Sequence, residues 1–162
     1  MPTPDSFLSL ETDAALDEQM SRPSDALIRL MPSLKDGILI LGVGGKMGPT
    51  LARTAKRAAT AAGLDIPVIG VSRFSDPAVR EPLEAQGVQT ISCDLLNRES
   101  VAALPAIPNI IYMAGRKFGA VGSEALTWAH NVIIPQIVAE RFRAASVVVF
   151  STGCVYPLTA AP

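Results

Sequence analysis

The chain has 162 residues, 49% of them apolar, with 14 basic and 15 acidic side chains and a net charge of −1. Such a composition excludes a disordered chain, and the length suits one domain with a substantial core. A balance this close to neutral gives no electrostatic footprint for nucleic acid or for an anionic membrane surface.

The two cysteines, Cys93 and Cys154, show no metal-ligand spacing, and free buried thiols of a cytosolic protein are the expectation. No metal site is expected. The N-terminus, Met-Pro-Thr-Pro-Asp, lacks the basic cluster and apolar stretch of a secretory signal. Segment 144–162 carries no charge, which raises the question of a membrane anchor. Its apolar core is only Val147 to Phe150, and Ser151, Thr152, Gly153 and two prolines break the rest. A span needs about 20 mostly apolar residues, so no anchor is expected.

Residues 1–36 read as a partly helical N-terminal extension. Glu11 to Met20 is weakly amphipathic, and Ser24-Asp25 can cap a second helix from Asp25 to Met31, ended by Pro32. Packing against the sheet or a partner chain is its expected role.

The next stretch, Gly37 to Thr50, organises the remainder. Ile38 to Leu41 forms an apolar run that suits a strand buried on both faces, here read as Ile38–Val43. Gly42, Gly44, Gly45 and Gly48 follow, and Gly45 to Ala62 reads as an alanine-rich amphipathic helix with Pro49 in its first turn. Strand, glycine turn and helix together present backbone N–H groups and a positive helix terminus to a pyrophosphate. Gly42, Gly44, Gly45, Lys46, Met47 and Gly48 are therefore candidate dinucleotide-binding residues. An ordinary tight turn that binds nothing is the competing reading.

Strands are then expected at Pro67–Ser72, Val88–Ser92, Asn109–Ala114 and Ser146–Ser151. Helices are expected at Asp76–Gln86, Asn97–Ala103 and Ser123–Arg143, the last kinked or broken near Ile133 by Pro135. Alternation at this spacing implies an α/β fold, a doubly wound parallel sheet of order 3-2-1-4-5 with a ligand crevice between strands one and four.

The end of strand two decides between NAD and NADP. An acidic residue there would bond the ribose hydroxyls, whereas this chain has Ser72-Arg73 and no carboxylate before Asp76. A forked cation suits a 2′-phosphate, so NADP is favoured over NAD; a solvated Arg73 is the alternative. Met113, Ala114 and Gly115 end strand four with small residues that let a cofactor approach the backbone. Arg116 and Lys117 beyond them could reach an anion, although a solvated pair is the commoner outcome. His130, without a carboxylate or second histidine near it in sequence, reads as structural.

The spacing Gly42-x-x-Gly45-x-x-Gly48 resembles the cofactor loop of the extended short-chain dehydrogenases, the epimerase and dehydratase branch. The same letters also fit the Gly-x-Gly-Gly-x-Met-Gly loop of other nicotinamide-dependent reductases. The segment Val147 to Pro157 (VVVFSTGCVYP) resembles the strand-five signature of the extended short-chain dehydrogenases and favours that family. Residues 37–157 carry the resemblance, which implies a Rossmann-like NAD(P)-binding domain over that range, with 158–162 as a tail.

The resemblance further implies that Asp94-Leu95 touches the adenine, an Asp in a turn being the alternative for residue 94. It implies that Asn131 lies on the helix flanking the active site and that Ser151 lies beside the cofactor. Thr152 takes the place of the hydroxyl that bonds the reacting carbonyl or alcohol, and Tyr156 that of a packing tyrosine. The family's Tyr-x-x-x-Lys acid–base pair is not present; position 160, four after Tyr156, is alanine.

The chain accordingly looks like the cofactor-binding N-terminal part of a longer epimerase, dehydratase or reductase. Such an enzyme moves hydride between a dinucleotide and a small-molecule carbonyl or alcohol such as a nucleotide sugar. A non-catalytic dinucleotide-binding module is the alternative. Without a covering helix, Trp128, Val132, Ile133, Ile137 and Phe142 are expected to be partly exposed. A homo-oligomer, or an N-terminal extension folded over that gap, is the expected consequence.

Overall fold

The computed structural model describes residues 12–34, 36–116 and 121–151. Its centre is β1 (Ile38–Leu41), whose four residues are all buried. A strand reaches that state only when neighbours flank it and helices cover both faces. The neighbours are β2 (Val68–Ser72), β3 (Gln89–Ser92), β4 (Asn109–Tyr112) and β5 (Ser146–Val149). All pair in parallel, in the order β3-β2-β1-β4-β5. This is the Rossmann-like, doubly wound sheet that the alternation predicted. Leu41 pairs with Val71 on one side and Tyr112 on the other, so the three central strands end level.

Seven α-helices are described: α1 (Asp13–Met20), α2 (Asp25–Leu30), α3 (Gly48–Ala61), α4 (Pro77–Ala85), α5 (Arg98–Ala102), α6 (Glu124–Trp128) and α7 (Ile134–Arg141). Side chains alternate across β1. Leu39 and Leu41 join one apolar layer with Val101, Ile134, Ile137 and Val138, under α5 and α7. Ile38 and Ile40 join the other with Ala52, Ala55, Ala59 and Met31, under α3 and the N-terminal segment.

Several elements are shorter than predicted, because strands stop where the chain must turn. β1 ends at Leu41 and not Val43, since Gly42 follows with φ of +91°. The helix after it starts at Gly48 rather than Gly45, β4 ends at Tyr112 rather than Ala114, and β5 at Val149 rather than Ser151. The break expected near Pro135 takes the form of a wide π-helical turn, Ala129–Ile133, in which Ile134 N–H reaches back to the Ala129 carbonyl. Widening the turn accommodates a residue that has no N–H to donate.

The described part of the N-terminal extension, residues 12–34, is not laid over α6 and α7. It packs on α3, where Glu18 bonds Arg53 and Arg57, and where Met31 is fully buried. Trp128, Val132 and Ile133 are exposed as expected, but Ile137 and Phe142 are buried against the sheet. Ile137 lies on the inward stripe of α7 and Phe142 directly follows the helix, and both join the apolar layer against the sheet.

Candidate functional site

Because the central strands end level, the loops leaving them enclose a crevice of about 260 Å³. Gly42, Gly44 and Gly45 from the first loop, Ser72 and Arg73 from β2, and Cys93, Asp94 and Leu95 after β3 line it. Met113, Ala114 and Gly115 after β4, with His130 and Ile134 from the helical side, complete the wall. The crevice therefore lies at the switch point between β1 and β4, where open α/β sheets bind ligands.

The first loop has no room for side chains at its key positions. A Cβ at Gly42 would fall 2.6 Å from the Ala114 nitrogen, and one at Gly48 would fall 2.0 Å from the Val43 carbonyl oxygen. Gly48 thus lets α3 start directly against the end of β1. A Cβ at Gly45 would meet only the Gly42 oxygen at 3.5 Å, so this glycine is not required by packing. Among the described residues, the N–H groups of Gly44, Lys46 and Met47 make no backbone hydrogen bond. Free amides beside a helix N-terminus are what an anion requires, so the residues present fit a pyrophosphate.

At the end of β2, a side cavity of about 210 Å³ continues past Gly44, Ser72 and Arg73 to Phe74, Ser75, Asp76 and Val79. The Arg73 carbonyl accepts a hydrogen bond from Ser92 Oγ at 3.2 Å. Phe74 has φ of +46°, and the Arg80 guanidinium lies 5.8 Å from its ring centre. The Asp76 carboxylate caps α4 by accepting from Ala78 N–H at 2.9 Å. That acceptor is therefore engaged by the helix.

The turn reading of Asp94 is what the geometry shows. Its carboxylate accepts from Leu96 N–H at 3.0 Å, closing a turn, and the residue still lines the crevice. Beside it, the Cys93 thiol is pushed up from its ordinary value by burial and then by the Asp94 charge. Cys93 is therefore a neutral wall residue. Tyr112 is buried, its phenol pushed up to about 12 by loss of water. It stays protonated at neutral pH and faces the core.

Asn131 holds the loop that leaves β4. Its Oδ1 accepts from Arg116 N–H at 2.8 Å, and its Nδ2 donates to the Arg116 carbonyl at 2.9 Å. Both halves of the amide hold the loop leaving β4, whose Arg116 Nη2 also donates to Ser123 Oγ at 3.0 Å. Lys46, Met47 and Gly48 belong to the first loop without lining the crevice, and Ser151 lies exposed beyond β5. Thr152, Tyr156, Cys154 and Lys117 lie outside the described residues.

Three wall residues, Cys93, His130 and Ile134, are not singled out as ligand contacts by sequence reasoning. His130, which reads as structural in the sequence, and Ile134 stand one turn apart and face the strand ends. The i, i+4 spacing is the available signal, but only the packing of this helix says which face meets the crevice.

The NAD dependent epimerase/dehydratase family model matches residues 38–162. No curated protein sequence matches the chain significantly. Among solved structures, ADP-L-glycero-D-manno-heptose-6-epimerase of Helicobacter pylori aligns with TM-score 0.67 and 20% identity, over 86% of this chain and 44% of its own. An epimerase of Methanothermobacter thermautotrophicus aligns with TM-score 0.64 and 18% identity, over 85% and 42%. The Bordetella bronchiseptica enzyme WbmF, solved with NAD+, aligns with TM-score 0.53 and 14% identity, over 72% and 36%. The chain thus spans less than half the length of these structures. At such identities they speak for the fold, and the family model, reaching from β1 to the last residue, speaks for descent: the chain belongs to the NAD-dependent epimerase/dehydratase family.

Proposed function

We propose that the crevice binds a nicotinamide dinucleotide with its pyrophosphate over the Gly42–Gly48 loop. The supporting observation is the pairing of free amides with glycines whose Cβ positions are occupied by neighbouring atoms. Adenine would lie between Asp94 and Leu95, and the nicotinamide end near Met113, Ala114 and Gly115. Ser72 and Arg73, with the side cavity past Gly44, favour a 2′-phosphate, hence NADP over NAD.

On this reading the chain serves an epimerase, dehydratase or reductase that moves hydride between nicotinamide and a carbonyl or alcohol such as a nucleotide sugar. Thr152 would bond the reacting oxygen. Family membership supports the reaction class. A second reading, a dinucleotide-binding module or sensor without turnover, draws support from Tyr112. Its phenol is buried and held protonated, so it is no acid–base group. Cytoplasmic residence accords with the free, buried Cys93. Self-association accords with the exposed Trp128, Val132 and Ile133.

Fluorescence titration with NADPH and NADH tests the binding. The chain is expected to bind both, and Gly45→Ala to weaken both while leaving the melting temperature unchanged. Absence of uptake up to millimolar nucleotide by folded protein would overturn the proposal.

A further inference from the structure

His130 is the single histidine of the chain, and its ring is oriented by the helix that carries it. Nδ1 lies 2.8 Å from the Leu126 carbonyl oxygen. A carbonyl only accepts, so Nδ1 carries the proton of that bond and the neutral ring keeps a bare lone pair on Nε2. Among the described residues, no side chain or backbone group bonds Nε2, and the residue forms part of the crevice wall beside Gly115 and Ile134.

We infer that His130 is a ligand-contacting residue whose Nε2 accepts a hydrogen bond from a ribose hydroxyl of the bound dinucleotide. The inference rests on the dinucleotide reading above and deepens it. The lone pair requires a donor, which the phosphates of the ligand cannot supply at neutral pH. Donors on a dinucleotide are ribose hydroxyls, the adenine amine and the nicotinamide amide. On the opposite wall, Asp94 offers an anionic acceptor for the adenine amine. His130 comes from the helical side, next to Gly115 at the exit of β4, where the reading above puts the nicotinamide end, so the hydroxyls of the nicotinamide ribose are the sugar donors on that side. The Leu126 bond matters because it fixes the tautomer before any ligand arrives. Consecutive side chains of a helix point in different directions, so within the turn Ala129–Ile133 Asn131 holds the Arg116 loop while His130 lines the crevice.

Two replacements separate the ring nitrogens. His130→Asn places an amide near Nδ1 and retains the contact with the Leu126 carbonyl, but does not reach the crevice. His130→Gln reaches where Nε2 stands and restores an acceptor there. Dissociation constants for NADPH and NADH, read by fluorescence, are expected to rise roughly 3- to 10-fold in His130→Asn, the size of one neutral hydrogen bond. His130→Gln is expected to stay within about 2-fold of the unmodified chain, less than that bond is worth. The loss should persist with nicotinamide hypoxanthine dinucleotide, which lacks the adenine amine. Equal affinities for His130→Asn and the unmodified chain, or equal losses in both variants, would overturn the role of Nε2. Disappearance of the loss with the hypoxanthine analogue would overturn the hydroxyl as its partner. If the unmodified chain binds no dinucleotide, it is the functional reading that fails. A circular dichroism melt of each variant confirms that folded proteins are compared.

Discussion

The amide of Asn131 and the main chain of Arg116 pair as neighbouring strands do, each giving one donor and one acceptor. Through this pairing the π-helical turn holds the loop that forms one wall of the crevice. Asn131→Leu removes both bonds, and a loss of ~1–2 kcal/mol is expected. Asn131→Asp sets a carboxylate oxygen against the Arg116 carbonyl and should cost at least as much. Both should also weaken NADPH binding, because the loop is freed. Thermal unfolding and fluorescence titration check this, and an Asp variant indistinguishable from the parent would contradict it.

Two glycines of the same loop should respond in opposite ways. At Gly48 a methyl group would meet the Val43 oxygen at 2.0 Å, so Gly48→Ala must displace α3 from β1. A loss of ~2–3 kcal/mol is expected, at the upper end of overpacking. At Gly45 the methyl group has space, and its effect should fall on nucleotide affinity alone. Urea unfolding of the two variants, set beside their NADPH titrations, separates packing from ligand approach.

Arg73→Ala should abolish any preference for NADPH over NADH while changing NADH affinity by less than about 3-fold, since the guanidinium acts on the extra phosphate. The ratio of the two dissociation constants is the readout. A variant that keeps its preference would move the phosphate away from the side cavity.

Glu18 links the extension to α3, and its carboxyl is held below the ordinary glutamate range by the Arg57 hydrogen bond first, then by the charges of Arg57, Arg53 and Arg22. A depressed folded value contributes stability above the unfolded value, roughly 4.3. That contribution is lost as pH falls through the folded value. Below that point α1 should become more sensitive to an acid-active protease. Glu84 and Glu140 are lowered too, so the informative quantity is the difference from Glu18→Gln, which should lack this part of the pH dependence.

Among the described strands β5 is at the edge of the sheet and exposed along its length, Val148 to 60%, and Trp128 on α6 is exposed to 69%. An uncharged apolar edge invites pairing with another chain. Light scattering should therefore show more than a monomer. Val148→Lys should shift it toward monomer and move the emission of the single tryptophan to longer wavelength. A monomeric parent with already red-shifted emission would exclude this interface.

The order of strands was legible because each element announces itself locally. Ile38–Leu41 reads as a doubly covered strand, a glycine-rich stretch leads from it into the first helix, and the charge pattern at Ser72-Arg73 stands in the chain itself. Local pattern also located the break before Pro135, because a missing N–H is a property of one residue. Other features belong to distances between segments far apart in the chain. Glu18 meets Arg53 and Arg57 only because α1 lies along α3, and Ile137 and Phe142 are buried only because α7 and the residue after it pack against the sheet. Likewise, a lone histidine and an asparagine beside it acquire separate roles only once the wide turn and the β4 loop are brought together. Periodicity states which residues share a face; only packing decides what that face meets.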